Sequence, residues 1–224
     1  MKVTTDACLF GGHVSHQVKT ISGNAKTILD IGTGTCLLTL MLAQQCNATI
    51  DVIETDRNAF EQAAENIALS PWAEQIRIFY GDAKEYSFPT QYDLIISNPP
   101  FYENELKSDD EKRNIALHNK GLLLTELLDI IKQNLKSEGK FYLLLPYKRI
   151  NEIEKLIVQR RFAINHKVFV RQSINHNYFR IIIAGVHQQA NKTETSTNEI
   201  SIWNNKRQYT EEFIELLKDY YLHL

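Results

Sequence analysis

The sequence has few cysteines, no long apolar run and little low-complexity composition. Its three cysteines, Cys8, Cys36 and Cys46, show no paired spacing, so neither a disulfide framework nor a zinc site is expected. No apolar run reaches the length of a membrane-spanning helix, and the first residues lack the basic and apolar parts of a signal peptide. The stretch 188–198 is polar and is interpreted as a loop. These absences predict a reduced, cytoplasmic protein with no metal and no membrane segment.

A glycine-containing turn follows the first predicted strand, 27–31, but it lacks one glycine of the dinucleotide fingerprint. Gly32 and Gly34 permit a tight turn and let a ligand approach the backbone closely at the start of a helix. The fingerprint requires its third glycine where this chain has Leu37. There is also no P-loop lysine, so the expected ligand is one without phosphates, and NAD is disfavoured.

Strand-like and helical runs alternate along the chain. Strands are predicted at 27–31, 48–53, 75–80, 92–97 and 139–145, and helices at 36–46, 58–69, 121–137 and 148–160. The alternation predicts an α/β fold with a doubly wound, mostly parallel sheet and helices on both faces. Two later runs, 163–171 and 179–187, suit an antiparallel pair at one edge, 199–203 a short further strand, and 210–222 a closing helix. No repeat or domain boundary is visible, so residues 1–224 are expected to form one domain.

Acidic residues stand at the ends of the second and third predicted strands. Glu54 lies twenty positions after Gly34, where an acid accepts the two ribose hydroxyls of an adenosine. Asp82, followed by Ala83, can accept from the amino group of an adenine. Each residue also has an ordinary interpretation, Glu54 as a solvated strand end and Asp82 as a turn former. Their order along successive strand ends favours an adenosine-containing ligand.

The tetrapeptide Asn98-Pro99-Pro100-Phe101 closes the fourth predicted strand, at the end where ligands bind in open α/β sheets. The two prolines fix two φ angles and remove two N–H donors, so the Pro99 carbonyl stays out of any strand ladder. The Asn98 amide oxygen and this carbonyl can accept both N–H bonds of an aromatic amine, while the ring stacks on Phe101. A proline-rich turn without a function is the alternative.

Together these residues resemble the S-adenosylmethionine-dependent methyltransferases of the seven-stranded class. The resemblance implies a cofactor loop running from Asp30 through Gly32 to Gly34, with Glu54 on the ribose and Asp82 near the adenine. It also implies that the tetrapeptide 98–101 binds an amine that becomes methylated. The class often has a third glycine where this chain has Cys36, which implies a more crowded loop.

A narrower resemblance covers nearly the whole chain. The segments 1–12, 97–101, 168–171, 209–213 and 219–221 are similar to the tRNA1(Val) adenine N6-methyltransferase family. The resemblance implies an enzyme that methylates the exocyclic amine of the adenine just 3′ of the anticodon, and we expect a monomer that needs no metal. Residues 104–120, which are charged and without clear periodicity, would then form a lid or an RNA-contact loop.

Positive charge is concentrated in one part of the chain. Residues 140–180 contain nine lysines and arginines but only two acids, Glu152 and Glu154, which gives a net charge of +7. A basic excess beside an active site is typical of a polyanionic substrate. Several of these cations fit the solvated face of a helix. Of the remaining cations, those next to the predicted strand ends and the loop 172–179 are the predicted RNA-contact residues: Lys148, Arg149, Arg171 and Arg180.

Two other functions fit the same motifs. A peptide glutamine amide or a guanine amine in rRNA presents the same NH2 geometry as adenine, although Phe101 favours a nucleobase. A non-catalytic RNA scaffold that binds the cofactor is the second alternative. The intact tetrapeptide disfavours this scaffold, which would have no need of Asn98.

Overall fold

The computed structural model describes residues 3–20, 25–100, 122–188 and 194–224, where eight strands form one sheet covered by six α-helices. In chain order the elements are α1 (Thr5–Thr20), β1 (Thr27–Ile31), α2 (Leu37–Ala43), β2 (Thr49–Glu54), α3 (Arg57–Ala68), β3 (Ile76–Tyr80), β4 (Tyr92–Ser97), α4 (Leu124–Asn134), β5 (Leu135–Pro146), α5 (Ile150–Gln159), β6 (Phe162–Ser173), β7 (Tyr178–His187), β8 (Ser196–Trp203) and α6 (Glu211–Leu217). Two short 3₁₀ turns, Ala73–Gln75 and Tyr147–Arg149, precede β3 and α5.

The strand order in the sheet is β3-β2-β1-β4-β5-β7-β6-β8. Only β7 runs antiparallel to its neighbours, β5 and β6, so the predicted doubly wound, mostly parallel α/β fold is confirmed. The class that the sequence resembles has seven strands, whereas this sheet has eight among the described residues, because β8 pairs in parallel with β6. Ile200 and Ile202 of β8 are buried. The antiparallel strand therefore lies inside the sheet, and β8 forms the edge.

Some element boundaries differ from the sequence prediction. Helix α4 ends at Asn134, three residues before the predicted end of the helix, and β5 begins at Leu135. Leu135 is buried and pairs with Tyr92 of β4, so tertiary pairing overrides the local helical pattern. Strand β8 begins at Ser196, inside the stretch interpreted as a loop. The charged segment 104–120 lies outside the described residues.

Helix α1 was not predicted, and it closes one face of the molecule. Leu9, Phe10, Val14 and Val18 are buried along it. The pair Gly11-Gly12 obscures this pattern, because glycine disfavours a helix interior. A Cβ on Gly12 would lie 2.6 Å from the backbone oxygen of Leu216, so α1 can approach the C-terminal helix this closely only with a glycine there.

Two apolar cores lie on opposite faces of the sheet, and alternate residues of β1 show the division. Ile28 packs into the first core, with residues of α1, α2, α3 and α6, whereas Leu29 and Ile31 pack into the second, with α4 and α5. Among the described helices, none is both long and apolar enough to cross a membrane.

The parallel strands direct their carboxyl ends to one edge of the sheet. There β1 lies between β2 and β4, so the chain winds outward in both directions from this point. In open α/β sheets, ligands bind in the crevice at such a switch point. The topology therefore places the predicted ligand residues after β1, β2 and β4 side by side.

Candidate active site

A cavity of about 1280 Å³ opens at the carboxyl edge of the sheet, above β1, β2 and β4. Most of the residues predicted for the site line this cavity: Gly32, Gly34, Glu54, Asp82, Ala83, Asn98, Pro99, Pro100, Lys148, Arg149 and Arg180. Asp30 lies beneath its floor, Arg171 lies farther along the sheet, and Phe101 is outside the described residues. The cavity thus brings cofactor candidates and amine-binding candidates into one space.

The cofactor loop, residues 32–36, follows β1 and contains three residues with positive φ. Gly32, Gly34 and Cys36 have φ values of 72°, 62° and 70°. The backbone N–H groups of Gly32 and Thr33 donate to the Ile53 carbonyl at 2.9 and 3.2 Å, which ties the loop to β2. A Cβ built at Gly32 meets no atom within 4 Å. A side chain there would fill cavity space that a ligand can use.

Glu54, at the end of β2, anchors the cofactor loop from below. Its Oε2 accepts the Gly34 N–H at 2.8 Å, and its Oε1 accepts the N–H groups of Thr55 and Asp56 at 2.9 and 2.8 Å. The residue is only 7% exposed yet lines the cavity. Because a carboxylate oxygen accepts about two bonds, Oε2 has capacity left for a ligand hydroxyl.

Asp30 is fully buried and organises the cofactor loop from within the sheet. Its Oδ2 accepts the hydroxyls of Thr33 and Thr39 at 2.7 and 2.8 Å, which joins the loop to α2. Its Oδ1 is buried with no hydrogen-bond partner among the described residues. Burial, together with the nearby charge of Glu54, raises the pKa of Asp30 to about 6, although the two threonine bonds oppose this shift.

Asp82 lies beyond the end of β3, and its carboxylate is held by its neighbours. Its Oδ1 accepts the backbone N–H of Lys84 at 2.9 Å, and Lys84 Nζ lies 3.5 Å from its Oδ2. The same ammonium lies 3.6 Å from Glu126 Oε1, in the first turn of α4. Asp82 can still accept from a ligand amine, because each oxygen has more than one acceptor position.

The tetrapeptide that is expected to bind the substrate amine begins, at Asn98, beside the cofactor loop. Ser97 Oγ donates to the Ile31 carbonyl at 2.7 Å, so the last residues of β4 and β1 are bonded. Asn98 is half-buried, Pro99 is buried and Pro100 is exposed. Asn98 and Pro99 both line the cavity, which places an amide oxygen and a rigid carbonyl close to the cofactor loop.

Three of the four predicted RNA-contact cations line the cavity: Lys148, Arg149 and Arg180. Arg149 lies 3.3 Å from Glu152, and Arg180 Nε donates to Asp6 Oδ2 at 2.8 Å. Burial alone would raise the pKa of Asp6, but hydrogen bonds from Thr4 and Arg180 outweigh it and hold the pKa below the usual value. These ion pairs partly neutralise the positive charge of the cations at the rim of the cavity.

Arg171 lies outside the cavity, on β6. Its Nε donates to Ser201 Oγ at 2.9 Å, and a second nitrogen lies 3.3 Å from Glu199 Oε2. The guanidinium is 5.4 Å from the ring centroid of Tyr178. These contacts fix Arg171 between β7 and β8, so its predicted contact with RNA would lie away from the reacting base.

No residue at the start of α1 was predicted to belong to the site, and of the first residues of β7 only Arg180 was. Thr4, Asp6 and Ala7 form one wall of the cavity, and Tyr178 and Phe179 form another. The signal available for α1 was an acid directly before a buried apolar run. No local pattern shows that β7 begins at this edge, because that follows from its antiparallel direction.

No group of three or more His, Cys, Asp or Glu side chains able to hold a metal occurs within the described ranges. The candidate ligand-binding groups are a backbone loop, the carboxylates of Glu54 and Asp82, and the neutral acceptors of Asn98 and Pro99. This set suits an adenosine-containing ligand and an aromatic amine.

Comparison with known proteins agrees with this set. The family model of the methyltransferase small domain matches residues 14–163. A tRNA1(Val) (adenine(37)-N6)-methyltransferase of Cytophaga hutchinsonii is 37% identical over 227 residues, covering 100% of this chain and 92% of that protein. The enzyme of the same name from Proteus mirabilis is 36% identical and covers 100% and 88%.

Solved structures share the fold at low sequence identity. A predicted O-methyltransferase of Agrobacterium tumefaciens has a TM-score of 0.73 with 14% identity and 95% coverage of both chains. A glycopeptide N-methyltransferase solved with S-adenosylmethionine has a TM-score of 0.55 with 10% identity, covering 78% of this chain and 87% of its own. Fold and site define a class I S-adenosylmethionine-dependent methyltransferase. Within that class, the chain belongs to the tRNA1(Val) (adenine(37)-N6)-methyltransferase family.

Proposed function

We propose that this chain transfers a methyl group from S-adenosylmethionine to the exocyclic N6 amine of an adenine in tRNA, next to the anticodon of a valine tRNA. The observation that carries the proposal is one shared cavity. The cofactor loop and Asn98 both line it, and the Ser97–Ile31 hydrogen bond joins their strands. The names of the relatives supply the tRNA and the adenine.

The residues of the cofactor half fit this group. The open space above Gly32 allows a ligand to lie against the backbone, and Glu54 Oε2 has acceptor capacity for a ribose hydroxyl. Asp82 is the candidate acceptor for the adenine amine, with Ala83 packed beside it. When bound, S-adenosylmethionine supplies a methyl group activated by its positively charged sulfur.

The acceptor half prepares the nitrogen that receives the methyl group. An aromatic amine is a poor nucleophile because its lone pair is delocalised into the ring. In our proposal the Asn98 side-chain oxygen and the Pro99 carbonyl accept its two N–H bonds, which favours a pyramidal nitrogen with a localised lone pair. No general base is needed, since the product proton can pass to water afterwards. Phe101 is proposed from the sequence to stack on the base.

The rim supports an RNA substrate. Lys148, Arg149 and Arg180 line the cavity, where phosphates on either side of an unstacked base would lie. An anticodon loop offers such a base at low energetic cost. We further propose that the protein acts as a monomer in the cytoplasm.

Mass spectrometry of tRNA nucleosides tests the proposal. The protein is incubated with unmodified valine tRNA and methyl-labelled S-adenosylmethionine, and the nucleosides are then separated. We expect labelled N6-methyladenosine, and none when the adenosine 3′ of the anticodon is replaced by cytidine. Label in guanosine, or in a protein substrate instead of the tRNA, would overturn the assignment of the acceptor.

A further inference from the structure

The turn after β8 is fixed by its own hydrogen bonds and presents two cations. The Asn204 N–H donates to the Gln208 carbonyl at 2.8 Å, and the Arg207 N–H donates to the Asn204 carbonyl at 3.1 Å. Asn204 Oδ1 accepts the N–H groups of Lys206 and Gln208 at 2.8 and 3.1 Å. Lys206 and Arg207 are exposed, and residues 203–210 contain no acid. The turn therefore holds two positive charges on a preformed backbone.

An aromatic stack connects this turn to the core. The Trp203 and Tyr209 rings are 4.2 Å apart with an interplanar angle of 18°, and Tyr209 lies 4.6 Å from Phe213 at 15°. Phe213 is fully buried, but Trp203 remains 37% exposed. The indole is thus held at a fixed angle while solvent still reaches it. A rigid, accessible aromatic surface suits a planar ligand.

The indole and the turn lie on the same edge of the sheet as the active site. Trp203 pairs with Ser173 at the carboxyl end of β6. Four strand spacings separate β4, which carries Asn98, from β8, a distance of about 19 Å. Tyr178, which lines the cavity, lies between them with Arg171 over its ring. A molecule that leaves the cavity along this edge reaches Trp203.

We propose that Trp203, Lys206 and Arg207, called here the Trp203 surface, form a second contact for the RNA substrate. An unpaired base stacks on the indole, and phosphates lie against the two cations. Aromatic stacking beside positive charge is the usual way in which proteins hold unpaired nucleotides.

The acids nearest to this turn along the chain are Glu199, Glu211 and Glu212. Glu199 is paired with Arg171 at 3.3 Å, and Glu211 and Glu212 belong to the first turn of α6, after the cationic turn has ended. The proposal rests on the proposed function, because the RNA held here is the one whose adenine enters the cavity.

Tryptophan fluorescence gives a direct test of stacking. The chain has two tryptophans, and Trp72→Phe leaves Trp203 as the single reporter. Adding anticodon stem-loop RNA to the Trp72→Phe protein should quench its emission, with saturation at the same RNA concentration as binding measured by anisotropy. Binding without any change in Trp203 emission would overturn the stacking contact.

Variants test the contribution to affinity. Trp203→Ala should weaken tRNA binding about 5- to 150-fold, as expected for loss of one base stack, while Trp203→Phe should retain most affinity. Lys206→Ala/Arg207→Ala should lower the slope of log K against log salt by about two. The matched control is Lys26→Ala/Lys132→Ala, which removes two exposed cations near the opposite edge of the sheet. Turnover at saturating tRNA and cofactor affinity should stay at wild-type values in all of these.

The outcomes separate this proposal from the one on which it rests. If the wild-type protein does not methylate tRNA, both proposals fail. If it does, and Trp203→Ala binds tRNA as the wild type does, only the Trp203 surface is wrong. A concentration-dependent dimer that Trp203→Ala abolishes would instead assign the surface to a second copy of the chain. Urea midpoints measured beside each affinity identify any loss that comes from unfolding.

Discussion

The Ser97 hydroxyl donates to the Ile31 carbonyl at 2.7 Å, a bond that joins the last residues of two adjacent strands. Each strand carries a different half of the site. Ile31 precedes Gly32 of the cofactor loop, and Ser97 precedes Asn98, the proposed amine acceptor. Ser97 and Ile31 are each 1% exposed. The relative position of cofactor and acceptor residues is thus set inside the sheet, where water does not compete for the bond.

Replacing Ser97 with alanine should loosen this junction. The buried Ile31 carbonyl would lose its partner, so the free energy of unfolding should fall by about 1–3 kcal/mol. Turnover should fall more than affinity for either ligand, because alignment is what the bond provides. Urea denaturation and single-turnover assays measure the two effects. An unchanged urea midpoint together with normal turnover would show that the strand ends are held by other contacts.

Asn98 is the residue on which the proposed chemistry depends. Asn98→Ala removes the side-chain acceptor of the amine, and turnover should drop on the order of 10²–10³-fold, as for loss of one preorganised polar group. Affinity for S-adenosylmethionine should hardly change, because the Asn98 amide is proposed to face the base. Single-turnover kinetics and calorimetry separate these quantities. Wild-type turnover in this variant would show that the tetrapeptide is a structural turn with no role in methyl transfer.

Glu54 should contribute to both cofactor affinity and loop structure. Glu54→Ala removes the acceptor of three backbone N–H groups and the proposed acceptor of the ribose. Cofactor binding should weaken by about 1–3 kcal/mol in calorimetry. Glu61→Ala, which removes an exposed acid on α3, is the control and should bind normally. Equal affinities in the two variants would contradict the role of Glu54.

The rim cations should make tRNA binding sensitive to salt. Lys148→Ala and Arg149→Ala should each lower the slope of log K against log salt by about one unit, because each removes one phosphate contact. Anisotropy titrations from low to physiological salt measure the slope, with Lys26→Ala as a control at the amino end of β1. A slope that neither substitution changes would show that Lys148 and Arg149 do not contact RNA phosphates.

A stacked pair of histidines, of which His13 is buried, should make the fold sensitive to acid. His13 and His166 stack with centroids 5.7 Å apart and an angle of 9°, while Tyr142 contacts His13 edge-on. His13 Nε2 has no hydrogen-bond partner in the described part of the chain. Burial, with repulsion from His166 and His16, lowers the pKa of His13 to about 3.

The direction of the pH effect follows from this shift. Between pH 6.5 and pH 3 the unfolded chain binds a proton at His13 that the folded chain does not, so stability falls as the pH decreases below 6.5. Each unit by which the pH lies below the unfolded pKa lowers the free energy of unfolding by about 1.36 kcal/mol. Since pH 5 is about 1.5 units below that pKa, this one group should lower the free energy of unfolding by about 2 kcal/mol between pH 7 and pH 5. His13→Leu should remove that slope in urea denaturation, whereas His176→Gln, at an exposed position, should keep it. Identical slopes in all three proteins would contradict the assignment.

The sequence predicted the parts of the site that depend on local chemistry. Glycines after a strand, an acid at the next strand end and a proline-rich tetrapeptide all lie at the cavity, because parallel strands bring their carboxyl ends together. Contacts between distant segments were not predictable. The pairing of Arg180 with Asp6 spans 174 positions and requires α1, which its two glycines concealed. The exposure of Trp203 likewise depends on a strand that pairs parallel to β6.

The burial of Cys36 in the cofactor loop has a consequence for the reactivity of its thiol. The residue is fully buried, and burial with the nearby Asp30 raises the pKa of the thiol to about 12. Since only the thiolate reacts readily with alkylating reagents, Cys36 should be inert while the cofactor loop is closed. Its rate of alkylation then reports how often that loop opens. The position where the class often has glycine thus provides a chemical probe of loop motion that is independent of catalysis.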